Sequence, residues 1–184
     1  MTMLTLSTRI TIVRIALVPV LVALVLAMPG HDGLVAAAVA VFVVASVTDY
    51  VDGWLARRWQ QVTELGNFLD TTADKLLVAG ALVALLAVDR VNPWVVLVVI
   101  GREFAVLGLR AVAAGSGVVV SASIWGKLKF FVQVVGVTLA IWRPQVRLGP
   151  WWLDQWAMLV VALITAASAF DYLARFGELV GVRR

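Results

Sequence analysis

Four aspartates, Asp49, Asp52, Asp70 and Asp74, fall within a short window of a chain that is otherwise overwhelmingly apolar. Read as helix, Asp49, Asp52, Gly53 and Ala56 follow an i, i+3, i+4, i+7 pattern and share one face. Gly66, Asp70 and Asp74 recur at every fourth residue and form a second stripe. The polar run from Arg57 to Glu64 suits a short turn, so two antiparallel helices could aim all four carboxylates into one space. Two carboxylates about 4 Å apart repel by about 4 kcal/mol at an effective dielectric near 20. One carboxylate at mid-bilayer costs roughly 2.5–3.5 kcal/mol. Hard divalent cations, which prefer oxygen ligands, offset both terms. The plainer alternative is a structural network with Arg57, Arg58 and Lys75. It gives no purpose to Gly53 and Gly66, which would let a bulky ligand approach the backbone.

A second polar group lies further on. Arg102, Glu103 and Arg110 interrupt one apolar run, and Lys127, Lys129 and Gln133 open another. Glu103 and Arg110 are seven apart and share a helical face, with Arg102 at its edge. Ionisable residues inside membrane helices mark function by default, and snorkelling or mutual pairing near the interface is the bland alternative. Acids can hold cations that grip a pyrophosphate, while arginine and lysine grip a second anion directly. The pattern suggests two substrates, one nucleotide-linked and one carrying its own phosphate.

The elements that must position these residues are helices. At 184 residues one domain, spanning 1–184, is expected. The chain is 62% hydrophobic and 14% charged, with a mean hydropathy of +1.00, whereas a soluble globule is about a quarter charged. An all-α, polytopic membrane protein with six transmembrane helices is therefore expected. Apolar runs are read at Ile15–Met28, Leu34–Val47, from near Gly66 to Val88, Trp94 to about Ala113, near Ser121 to Trp142, and about Leu153–Leu173. The first run also has features of a signal peptide, but the chain keeps returning to the membrane after it. Six crossings put both termini on one side. That side carries Arg9, Arg14, Arg57, Arg58, Lys127, Lys129, Arg175, Arg183 and Arg184, against Arg90, Arg143 and Arg147 opposite, so termini and acidic motif are expected in the cytoplasm. Trp54, Trp59 and Trp125 fall near that interface, and Trp94, Trp142, Trp151, Trp152 and Trp156 near the outer one. Cysteine is absent, which excludes disulfides and thiolate metal sites. The net charge of +4 is read against anionic lipid. There is no Lys/Arg-rich run with interleaved aromatics and no helix-turn-helix pattern, so no nucleic-acid partner is expected. His31, Asp32 and Asp154 are read as outer-loop residues without a role, and Asp171, Arg175 and Glu178 as an ion-paired helix end.

The spacing D-x2-D-G-x2-A-R-x8-G-x3-D-x3-D, filled by Asp49, Asp52, Gly53, Ala56, Arg57, Gly66, Asp70 and Asp74, resembles the signature of the CDP-alcohol phosphotransferases. Those are integral-membrane enzymes of phospholipid synthesis. Thr11-Ile-Val-Arg14 in the first helix with Pro19, Gly-Arg102-Glu103-Phe with Leu-Arg110, and Ser123-Ile-Trp-Gly126-Lys127-Leu-Lys129 with Gln133 resemble the phosphatidylglycerophosphate synthases of that family. Many relatives have Pro-Asn where this chain has Ser7-Thr8. The resemblance implies transfer of a phosphatidyl group from CDP-diacylglycerol to a small alcohol, glycerol 3-phosphate being preferred, with CMP leaving. It implies two Mg2+ or Mn2+ ions, bridged by Asp49 and Asp70 and completed by Asp52 and Asp74, with Asp74 as general base. Thr11, Arg14, Gly53, Ala56, Arg57 and Gly66 would receive the CDP-lipid. Arg102, Arg110, Lys127 and Lys129 would receive the acceptor phosphate. A homodimer in the inner (plasma) membrane, in contact with its lipids, is also implied. Phosphatidylglycerol or an inositol phosphate as acceptor stays open, as do an ion transporter and a non-catalytic scaffold.

Overall fold

In a computed structural model of the chain, the described backbone covers residues 6–58, 64–115 and 124–181. Side chains are described there except at 6–9, 49–68, 70, 114, 124–127 and 178–181. The described residues form six helices: α1 (Leu6–Ala27), α2 (Asp32–Arg58), α3 (Glu64–Ala87), α4 (Pro93–Gly115), α5 (Ile124–Trp142) and α6 (Leu153–Gly181). A minimal ribbon, β1 (Arg147–Leu148) and β2 (Trp151–Trp152), sits between α5 and α6. The described residues are thus almost wholly helical. Two stretches, Ile10–Ala27 and Leu153–Gly177, are long and apolar enough to cross a bilayer, consistent with a membrane protein.

Local chemistry sets the helix ends. Asn92 Oδ1 accepts from the Trp94 amide at 2.9 Å, an N-cap followed by Pro93, whose missing N–H is no loss in a first turn. Gln155 reaches back to the Trp152 amide at 3.0 Å to start α6. At the far end of α3, Asp89 adopts φ 55°. Its amide donates to Leu86 at 3.1 Å and that of Arg90 to Leu85 at 2.9 Å, which closes the last carbonyls. Arg143, at φ 50°, closes α5 through Leu139 at 2.7 Å. Gly149, at φ 66°, supplies the left-handed first position that a two-residue hairpin turn between β1 and β2 requires.

Two compact units, Met1–Arg90 and Val91–Arg184, divide the chain. In the first, α1 is the hub and packs mainly on α3, then on α2. A Cβ at Gly80 of α3 would lie 2.9 Å from a Val18 methyl, so the two backbones approach closely there. Leu21, Val25, Phe42, Leu77 and Leu85 fill the core. In the second unit α6 is the hub, packed on α5 and α4. Gly136 of α5 has no room for a Cβ against Val161 of α6. The pattern of exposure is inverted relative to a soluble protein: Phe131 is 69% exposed, while Lys129 and Gln133 on either side of it are 8% and 3% exposed.

The expected helices are all present, with shifted ends. α1 begins at Leu6, ahead of the apolar run from Ile15; it includes Thr11 and Arg14, as expected of the first helix, and also Ser7-Thr8. α2 does not stop at the acidic motif but continues through it to Arg58. α6 runs well past Leu173. Asp154 is corrected outright: it belongs to the first turn of α6 and is buried, not a loop residue.

Candidate active site

In the first unit, α2 carries Asp49, Asp52, Gly53, Ala56 and Arg57, and α3 carries Gly66, Asp70 and Asp74, all on continuous helix. The expected helical spacing of both stripes therefore holds in the backbone, and α2 and α3 contact each other within the unit. Side chains of the motif lie outside the described residues except for that of Asp74, which is partly buried. Among the described residues no three His, Cys, Asp or Glu side chains gather as a metal-holding group. The acidic groups of the motif are carboxylates, hard oxygen donors that fit Mg2+ or Mn2+ and suit thiophilic metals poorly.

Arg14 is bonded to the helix that carries the first half of that motif. It is buried on α1, and its Nε donates to the carbonyl of Ala45 at 3.2 Å, one helical turn before Asp49. The same carbonyl accepts from Thr48 Oγ1 at 3.3 Å. Ser46 donates back to Phe42 at 2.8 Å, and Thr48 also reaches Val44. Back-bonding hydroxyls of this kind tend to bend a helix, here just ahead of the acidic turn. Thr11, one turn before Arg14, is buried as well.

The second unit gathers the cations. Glu103 of α4 accepts from Arg102 Nη1 at 3.1 Å and also from Lys129 Nζ of α5. Arg102 Nη2 donates to Ser168 of α6 at 2.8 Å. Arg110, two turns or about 12 Å along α4, places its guanidinium 5.7 Å from the centroid of the Tyr172 ring. The pairings Arg102–Ser168 and Arg110–Tyr172 advance together, so α4 and α6 run in the same direction. Lys127 is in the first turns of α5, with its side chain outside the described residues. Arg102 and Lys129 are thus brought together through Glu103, and Arg110 stands apart from them on the same helix.

Sequence reading missed the α6 side of this cluster. Thr165, Ser168 and Tyr172 fall at i, i+3, i+7 and are all buried. The only sequence signal was their shared helical face in a run otherwise rich in alanine and aliphatics. The expected ion pair at the end of α6 is present, Arg175 Nε to Asp171 Oδ1 at 3.1 Å. His31 is exposed in its turn.

The chain thus carries two apolar spans, an acidic motif on α2 and α3, and a partly buried cationic cluster on α4 and α5. The family model described as CDP-alcohol phosphatidyltransferase matches residues 4–173, and the chain belongs to that family. It is 39% identical to the CDP-diacylglycerol–glycerol-3-phosphate 3-phosphatidyltransferase of Bacillus subtilis, covering 96% of this chain and 97% of the relative. It is 38% identical to the Escherichia coli K12 protein of the same description, over 91% and 92%. A probable phosphatidylglycerophosphate synthase of Mycobacterium tuberculosis is 36% identical, over 97% and 85%.

Proposed function

We propose that this chain transfers the phosphatidyl group of CDP-diacylglycerol to glycerol 3-phosphate, releasing CMP and phosphatidylglycerophosphate. The observation that carries the reading is its end-to-end likeness to the Bacillus subtilis enzyme so described, 39% identical over nearly the full length of both chains. The acidic motif on α2 and α3 and the cations of α4 and α5 supply groups of both signs, as that reaction needs.

Asp49, Asp52, Asp70 and Asp74 would hold two divalent ions. Once bound, Mg2+ or Mn2+ would polarise the diphosphate and offset charge on the departing CMP. Asp74 takes the proton of the acceptor hydroxyl as its oxygen bonds to the phosphatidyl phosphorus and the bond from that phosphorus to the CMP oxygen breaks. Gly53, Ala56, Arg57 and Gly66 receive the cytidine nucleotide, with Thr11 and Arg14 lending support from α1. Arg102, Arg110, Lys127 and Lys129 receive the acceptor phosphate. All six helices cross the plasma membrane within one domain of residues 1–184, and the chain works as a homodimer. With six crossings, nine of the basic residues fall on the side of the termini against three opposite, a bias that supports termini and acidic motif in the cytoplasm.

The test is CMP release by purified protein in lipid, with CDP-diacylglycerol, Mg2+ or Mn2+, and a panel of acceptors. Release with glycerol 3-phosphate and not with glycerol is expected. Release only with phosphatidylglycerol or an inositol phosphate would move the acceptor assignment.

A further inference from the structure

A buried guanidinium has five N–H groups to satisfy. In Arg102, Nη1 is used by Glu103 at 3.1 Å and Nη2 by Ser168 at 2.8 Å, while Nε is buried with no hydrogen-bond partner among the described residues. An unmet buried donor is costly, and more so on a charged group. A buried donor left over in this way calls for a partner, and a ligand anion is one that would serve. The two partners engage the Nη groups and leave the buried Nε–H as the donor that neither of them uses. Glu103 is already shared with Lys129, so it fixes the charge balance of the cluster without meeting that donor. Ser168 comes from another helix and makes the one bond described here that ties the Arg102 side chain to α6.

We infer that Ser168 is a positioning residue for the acceptor phosphate, acting through Arg102: it fixes the guanidinium so that its Nε edge meets the phosphate oxygen. This rests on the acceptor site proposed above. A serine hydroxyl suits the task because it accepts from Arg102 while its own proton can turn to a backbone carbonyl of α6. Removing it frees the fork to swing toward Glu103, which changes binding of the phosphorylated acceptor and leaves the CDP-lipid untouched.

The test uses the full-length protein in lipid nanodiscs, with CMP release measured against glycerol 3-phosphate and CDP-diacylglycerol in turn. Ser168→Ala, and the nearly isosteric Ser168→Cys with its weak acceptor, should raise KM for glycerol 3-phosphate about tenfold, the size of one hydrogen bond to a charged group. Both kcat and KM for CDP-diacylglycerol should stay within about twofold by the same reasoning. Ser168→Thr restores the hydroxyl and should return KM to within about threefold of the parent. An unchanged KM for glycerol 3-phosphate in both the Ala and Cys variants overturns the inference. So does an equal loss toward both substrates, which is the mark of a merely structural serine. Arg102→Ala separates the two levels. If it raises that KM and the serine variants do not, only the inference falls; if it leaves that KM unchanged, the acceptor assignment of Arg102 falls and the inference with it.

Discussion

Arg14 on α1 donates its Nε to the backbone carbonyl of Ala45 on α2 at 3.2 Å, four residues ahead of Asp49. A buried, permanently charged side chain is thereby fixed to the helix that carries half of the acidic motif. The bond ties the geometry of that turn to α1, whose main packing partner, α3, carries the other half.

Arg14→Met should therefore destabilise the protein. A lost hydrogen bond from a charged group contributes about 1.5–3 kcal/mol, which for a chain of this size lowers Tm by about 3–10 °C. Thermal unfolding followed by far-UV circular dichroism in detergent checks it, and an unchanged Tm would show the bond to be dispensable.

Asp74→Asn keeps the size of the side chain and removes its basicity. Turnover should fall by about 10²–10⁴, the range for a lost general base, while CDP-diacylglycerol binding changes far less. CMP release and equilibrium binding, measured side by side, decide the point. An active Asn variant would take Asp74 out of the base role.

Arg110→Ala should raise KM for glycerol 3-phosphate by about 10–100-fold, as expected for one charge-assisted contact. KM for CDP-diacylglycerol should move much less. Arg110 lies over Tyr172 rather than in the Glu103 cluster, so its effect should add to that of Ser168→Ala rather than duplicate it. A double-mutant cycle on KM measures this.

Gly136→Leu forces a side chain into the α5–α6 seam at Val161. Overpacking of this kind costs about 1–3 kcal/mol, and Tm should drop by about 2–10 °C. Leucine at Gly108, whose Cβ direction is open, serves as the control and should leave Tm within a few degrees.

Chelation with EDTA should abolish CMP release, and Mg2+ or Mn2+ should restore it. Titrating Mn2+ into the protein by electron paramagnetic resonance gives a readout independent of turnover, and Asp70→Ala should weaken binding there. Full activity after chelation would leave the four aspartates without their proposed ions.

The helices were legible because apolar runs of near-bilayer length broken by Pro, Gly and Asp leave few alternatives, and the acidic stripes because carboxylates stand out against leucine and valine. The start of α1 was not, since Ser7, Thr8 and Arg9 read as a polar approach when hydropathy alone is weighed. The role of α6 was hidden for a related reason. Serine, threonine and tyrosine barely disturb an apolar profile, and only the structure shows Ser168 meeting Arg102 and Tyr172 meeting Arg110. Asp154 misled because a charge next to tryptophans at a turn suggests solvent, whereas the ribbon folds back over it. Trp156 donates to Leu148 at 2.9 Å and packs at a tilt against Trp151, ring centroids 4.8 Å apart, while Arg143 lies 4.0 Å from the Asp154 carboxylate.

The outward turn of Phe131 and the inward turn of Lys129 and Gln133 also constrain how the molecule can be handled. Trimming greasy rings from its outside would leave Lys129 and Gln133 stored where a soluble protein keeps its oil. Surfactant choice and acyl-chain thickness thus become variables of the chemistry itself, to be reported beside substrate concentration.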